Sequence, residues 1–319
     1  MPYRERRYNY KNLIMRAINI KSLSLSIVFL CSMLSGFAVN QSFPASGPDA
    51  MEDSITMIYH NIIGTTDAES GSVQYSFQRG IFNLEELPTD EVKWLWDRDW
   101  YGQINYGYVS ADLPVILGSW EKLTHIIDLC NSFINQDFNL ELIADETERS
   151  KALQQREDYI RQAKIIRSAM YFYLVNEFGN VPYSDENMDP EAIPGQLSPD
   201  MATGRKMVTE KVIKTLEDIV EWYKTNDADN RPAYGRVGLD VAEALLVKFY
   251  LNHEVFAGEP AWDKTLAHAK ALIDRRGKGG FLNSGLAMNY SQNFSHNNRE
   301  AADNEIIWRI ATMEWMGQD

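Results

Sequence analysis

The sequence predicts a mainly α-helical fold, a scaffold of paired helices joined by long loops with few short strands. Three observations carry this. Apolar residues recur at three- and four-residue steps in most segments after Pro48, the period of a buried helix face. Gly, Pro, Asn and Asp cluster between those segments and punctuate them. No strong alternating pattern competes.

Taken in order, Asp49 to Ile63 gives a first helix, with Met51, Ile55, Ile58 and Ile62 on one side. Residues 64–80 form a Ser/Thr/Gly-rich loop. Leu113 to Ile134 gives a long helix carrying Leu117, Trp120, Leu123, Ile126, Ile127 and Phe133. Residues 152–178 form another, with one buried face at Tyr159, Ala163, Ile166, Met170, Tyr173 and Leu174. Gly179 closes it in the left-handed conformation, and Pro182 forbids its resumption. Residues 184–200, rich in Pro, Asp and Glu, read as an exposed connection. Ser198 then caps a helix with Pro199 at its first position. Val208, Val212, Ile213, Leu216, Ile219, Val220 and Tyr223 form the cleanest amphipathic stripe in the chain.

Two further helices span 238–256 and 260–275. Gly258 turns the chain between them, and Pro260 starts the second, whose Trp262, Leu266, Ala269 and Leu272 face back onto the first. Antiparallel helices with small residues at their crossing make a tetratricopeptide (TPR)-like unit, though the strict repeat signature is absent. A Gly/Asn-rich loop (277–299) and a short extended segment (304–310) follow.

Charge and composition narrow the function. Residues 1–38 carry six basic side chains against Glu5, a balance of +5. The whole-chain charge of −14 therefore leaves −19 for the remainder. So acidic a body repels nucleic acid and anionic membrane surfaces and favours a neutral ligand. Basic residues precede an apolar run from Leu23 to Val39, the arrangement of an export signal. Three outcomes fit it. These are cleavage before Cys31 with lipidation of that cysteine, cleavage after Gly36-Phe37-Ala38, or retention as an anchor. Leu30, bulky where a lipoprotein signal carries a small residue, stands against the first. The domain reading is 1–38 as export segment and 39–319 as the helical domain. Cys130, on an apolar helix face, reads as inert core.

Chemistry concentrates in Lys93 to Tyr108, KWLWDRDWYGQINYGY. Flat aromatic faces interleaved with planar polar groups suit a sugar ring, which has apolar C–H faces and a hydroxyl rim. Trp94 and Trp96 read equally as core, whereas Trp100 and Tyr101 read as surface. Asn293 to Arg299 reads as a solvated loop. Enzymatic and metal readings fail. His253-Glu254 opens like H-E-x-x-H, but residue 257 is Ala. Asp97 and Asp99, two apart in a loop, do not establish a glycosidase pair. No cofactor or metal site is predicted.

The wording of several segments resembles the SusD/RagB family. Arg167 to Pro182 is similar to that family's "R-A-x-x-Y-F-x-L-V-x-x-F-G-D-V-P" helix, with Ser168 and Asn180 substituted. Leu87 to Glu91 followed by Asp99-Trp100-Tyr101 resembles its "S-D-E … D-W-Y" loop. Trp120 to Phe133, Gly235-Arg236-Val237 with Ala242 to Asn252, and Tyr290 to Trp308 resemble further segments, in the family's order. The resemblance implies a non-catalytic outer-membrane surface protein. It would capture oligosaccharide and pass it to a TonB-dependent, SusC-like transporter, attached to the membrane through lipid if Cys31 is modified. It implies glycan contacts from Trp96, Arg98, Asp99, Trp100 and Tyr101. It also implies a missing second half, since such proteins continue beyond the segment matched by Asn304 to Trp308. Two rivals stand beside this reading: a TPR-like surface scaffold binding peptide or protein, and a remote hydrolase.

Overall fold

The computed structural model describes residues 46–63, 77–95, 100–111, 113–188, 200–278 and 284–310. Among the described residues every regular element is helical. In chain order these are α1 (Pro48–Ile63), α2 (Phe77–Glu86), α3 (Trp100–Asn105), α4 (Pro114–Asn135) and α5 (Glu146–Phe178). There follow α6 (Met201–Asn226), α7 (Leu239–Leu251), α8 (His253–Ala257), α9 (Trp262–Arg276) and α10 (Asn298–Ala301), with short 3-10 turns at Leu140–Leu142 and Tyr290–Phe294. The mainly α expectation holds. Of the segment 304–310, expected to be extended, residues 304 and 305 lie in a turn and 306–310 form no strand.

Each long helix packs on the next, α4 on α5, α5 on α6, α6 on α7 and α7 on α9, while α1 and α2 cover α4. α5 lies in the middle, in contact with α1, α2, α4, α6 and α7. Its burial therefore runs all round from Ile165 to Phe172, rather than along the single face that the periodicity predicts. The helix also starts earlier than expected, at Glu146, because Asp145 caps it by accepting from the Glu148 N–H at 2.8 Å. Ser198 and Pro199 lie outside the described residues. The cap observed on α6 is Asp200, whose carboxylate accepts from the Thr203 N–H at 2.8 Å.

The exit from α5 is held tightly. Gly179 has φ +75°, a backbone state that favours glycine, and the Arg205 guanidinium packs over it, 2.6 Å from where a Cβ would stand. Beyond it the Tyr171 hydroxyl accepts from the Ser184 N–H at 2.7 Å and donates to the Ser184 carbonyl at 3.0 Å. Tyr171 and Tyr183 stack at 5.1 Å. Arg167, buried within α5, bonds Glu186 at 2.6 Å and Asn131 of α4 at 2.5 Å. One guanidinium thus ties two helices to the outgoing strap. Cys130 is fully buried, and burial pushes its thiol up to about 12, as fits an inert core position.

α9 corrects an expectation. It packs on α7 but has no fully buried residue, and Trp262 and Leu266 are 54% and 52% exposed. Ala269 and Leu272 are only partly buried. The contact is largely ionic instead. Arg275 reaches Asp240 (2.6 Å) and Glu243, Arg276 reaches Asp240 (2.6 Å), and Lys264 donates to the Tyr250 hydroxyl (3.1 Å) and pairs with Glu217 of α6 (3.2 Å). A helix with one principal neighbour cannot bury a whole apolar stripe, and here the polar edge is the one turned inward.

A pH effect follows from the α2–α5 contact. Glu177 is raised to about 7, chiefly by burial and further by nearby Glu85. Its folded form binds a proton that the unfolded chain releases near pH 4.5, so stability falls as pH rises from about 4.5 to 7. Glu177→Gln is expected to flatten that fall in a thermal-melt series across this range. An unchanged slope would refute the assignment.

Candidate functional site

The aromatic segment singled out by sequence sits on a small core of its own. Leu87, Tyr101, Ile104, Leu113 and Val115 pack together, with Leu84, Val92, Trp94 and Ile116 partly buried against them. α3 supplies Tyr101 and Ile104, α4 supplies Val115 and Ile116, and α2 contributes Leu84 at its end. α3 falls in a segment read as loop, and α2 begins inside the loop read over 64–80 and runs on to Glu86, because the sequence around them carries too few helical periods to read. Asn105 pins the loop from inside. Its amide donates to the Leu87 carbonyl at 2.7 Å, and its carbonyl accepts the Trp94 N–H at 3.1 Å.

α3 ends in a tight turn. The Gly107 N–H reaches the Ile104 carbonyl at 2.9 Å, and Gly107 takes φ +75°. The Tyr108 N–H returns to the Gln103 carbonyl at 2.9 Å. The turn leaves Tyr106 59% and Tyr108 72% exposed, with Gln103 exposed on the preceding helix.

The predicted site residues divide accordingly. Tyr101 was expected at the surface and is core, at 1% exposure, with its ring 4.6 Å from that of Trp94. The reason is register: Tyr101 and Ile104, three apart on α3, share its inner face. Trp96, Arg98 and Asp99 lie outside the described residues, as does Asp97 of the rejected carboxylate pair. Trp100 is described by backbone alone, as the first residue of α3. Tyr106 and Tyr108, absent from the predicted contact set, are the aromatics that the described loop presents to solvent. The signal for them was Tyr-Gly-Tyr directly after a short helix, where glycine reverses the chain and its neighbours point outward.

The turn offers flat faces and an amide on a backbone fixed by Asn105. Such a surface can stack on a sugar ring and bond its hydroxyls. Asn105→Ala is expected to cost about 1–3 kcal/mol, by stranding the Trp94 N–H and the Leu87 carbonyl. Amide exchange should accelerate across 91–95 and 100–108 more than in α5. Equal acceleration in both would contradict the pinning role.

The chain is thus a helical scaffold bearing an aromatic surface loop. No protein-family model matches it. Among curated proteins it is similar to the starch-binding protein SusD of Bacteroides thetaiotaomicron, 25% identical over 254 residues, covering 77% of this chain and 39% of that protein. Its fold is similar to that of the surface glycan-binding protein A from Bacteroides uniformis, at TM-score 0.59 and 20% identity, covering 82% of this chain and 52% of the other. It is also similar to the surface glycan-binding protein A from Bacteroides thetaiotaomicron in complex with laminarihexaose, at TM-score 0.53 and 17% identity, covering 82% and 49%. Over most of its length the chain is thus similar in sequence to SusD and in fold to a SusD-like carbohydrate-binding protein of Bacteroides fragilis. It spans 39% of the length of SusD and about half that of these structural neighbours.

Proposed function

We propose that this protein is a non-catalytic, cell-surface glycan-binding component of an oligosaccharide uptake system. The observation that carries the reading is the pinned aromatic turn with Tyr106 and Tyr108 exposed, in a chain similar to proteins named for starch and glycan binding. Trp96, Arg98, Asp99 and Trp100 adjoin that turn in sequence and complete the proposed contact set. Captured ligand passes to a TonB-dependent, SusC-like transporter at the outer membrane. The basic and apolar N-terminal segment directs export, and lipid on Cys31 would anchor the mature chain. The TPR-like character of the scaffold belongs to this proposal and is supported by the successive packing of α4 to α9.

Affinity electrophoresis over a glycan panel tests it. Retardation by at least one glucan is expected, with Trp100→Ala and Tyr108→Ala each weakening retention by roughly tenfold, the loss of about 1.4 kcal/mol of stacking and hydrogen bonding. Retention unchanged in both variants would remove the loop from the site. The rival reading, a scaffold for peptide or protein, draws on the exposed stripe of α9 at Trp262, Leu266 and Ile273. Binding of peptides with no glycan bound would favour it.

A further inference from the structure

A cleft of about 420 Å³ opens where α1, α5 and the connection before α7 meet, and no described residue of the aromatic loop lines it. Its size falls within the roughly 300–1,000 Å³ of small-molecule sites. Glu52 of α1, Gln154, Asp158 and Tyr159 of α5, and Ala233 and Arg236 of the connection line it.

The charged side chains of this wall are each paired, with one another or with a neighbour just outside it. Arg236 bonds Glu52 at 2.5 Å and Thr56 at 2.9 Å, and its guanidinium lies 4.8 Å from the ring centre of Tyr59. Asp158 pairs with Arg161 at 3.6 Å and accepts from Gln162 at 2.7 Å. Lys151, at the rim, pairs with Glu148 at 3.1 Å. The cleft therefore holds little surplus charge with which to recruit an ion. It offers hydrogen-bonding capacity instead. The side chains of Glu52 and Asp158 stay partly exposed, and the Gln154 amide is exposed. A carboxylate accepts from two neighbouring hydroxyls, and an amide serves one as donor and another as acceptor. Pro232 and Ala233 add a short apolar lip on which a ring C–H face can rest.

The carboxylates are also held in advance. The Tyr159 hydroxyl donates to Glu52 and accepts from the Gln155 amide at 2.6 Å. Ordering these side chains costs a ligand little when they are already fixed.

We infer that this cleft is a second sugar-binding subsite, separate from the aromatic loop, that takes a neutral, hydroxyl-rich hexose unit. The inference rests on the glycan reading for its ligand class, but it uses none of the loop's residues.

Calorimetry of the full chain with maltose and with laminaribiose tests it, on the wild type, on Tyr106→Ala/Tyr108→Ala, and on Ala233→Trp. Ala233 is exposed, so the indole blocks the cleft mouth without disturbing the Glu52–Arg236 pair. Gln154→Ala, at an exposed helix position, serves as a second, milder variant. The wild type should bind two equivalents of at least one disaccharide. Ala233→Trp should lose one of them, Gln154→Ala should weaken that one several-fold, and the double tyrosine variant should keep it. Binding unchanged in Ala233→Trp but lost in the tyrosine variant overturns the subsite and leaves the loop reading intact. Loss in Ala233→Trp alone supports the subsite and removes the loop. Binding of inorganic sulfate in place of either sugar, or of no sugar at all, overturns the subsite.

Discussion

Replacing Arg167 by Met is expected to destabilise the protein by roughly 3–5 kcal/mol, the cost of breaking a buried ion pair from one side. The methionine keeps the apolar volume of the stem but removes every donor. Glu186 would keep only Lys164, at 2.7 Å, and the Asn131 carbonyl would lose its guanidinium partner. Glu186 now sits at about 2. Burial raises it, but Arg167 and Lys164 lower it further than burial raises it. That preference is stability present above the unfolded carboxyl value near 4.5 and lost as pH falls through about 2. Arg167→Met should therefore lower the melting temperature strongly at pH 7 and much less near pH 2. A variant as stable as the wild type at pH 7 would show that the guanidinium is not the tie between α4, α5 and the 181–186 strap.

Glu243→Gln is expected to cost roughly 3 kcal/mol, at the lower end of the range for a broken buried pair. The Glu243 side chain is fully buried on α7, and it faces Arg275 of α9, Lys224 of α6 at 3.3 Å and His268 at 3.6 Å. Burial raises its carboxyl, while His268, Arg275 and Lys224 lower it more, to about 2. With glutamine Arg275 and Lys224 lose their shared counter-charge, although Arg275 and Arg276 keep Asp240. The loss should be local first. Arg276 also holds the carbonyls of Asn304 at 2.7 Å and Ile306 at 3.1 Å, so loosening α9 exposes the 303–306 segment too. Amide exchange should rise in α9 and 303–306 before α5 is affected. Exchange rising equally in α5 would contradict the local role.

The two substitutions mark where sequence reading succeeds and fails. The succession of long helices was legible because α1, α4, α5 and α6 each carry several apolar turns, and Gly179 and Gly258 announce their reversals. The α7–α9 interface was not. Periodicity assigns the apolar stripe of a helix to the core, and nothing local tells that Asp240, Glu243 and Arg275 meet across the contact. In the aromatic segment the composition was legible but the facing was not. Only the packing of Tyr101 against Trp94 reveals that Tyr101 turns inward from its short helix. Tyr106 and Tyr108 owe their exposure to one positive-φ glycine, a backbone state that composition does not display. The cleft beside Arg236 joins side chains from positions 52, 158 and 233, a spacing that no local motif could suggest.

The central claim is that the chain binds glycan without cleaving it, through the turn that Asn105 pins. Calorimetric titration of the full chain with laminarihexaose, maltohexaose and a mixed peptide pool, with chromatography of the sugars afterwards, tests it most directly. The account predicts saturable heat with at least one hexasaccharide, loss of that heat in Trp100→Ala or Tyr108→Ala, none with the peptides, and intact sugar recovered. Heat with the peptide pool alone, or shortened sugar after incubation, would contradict it.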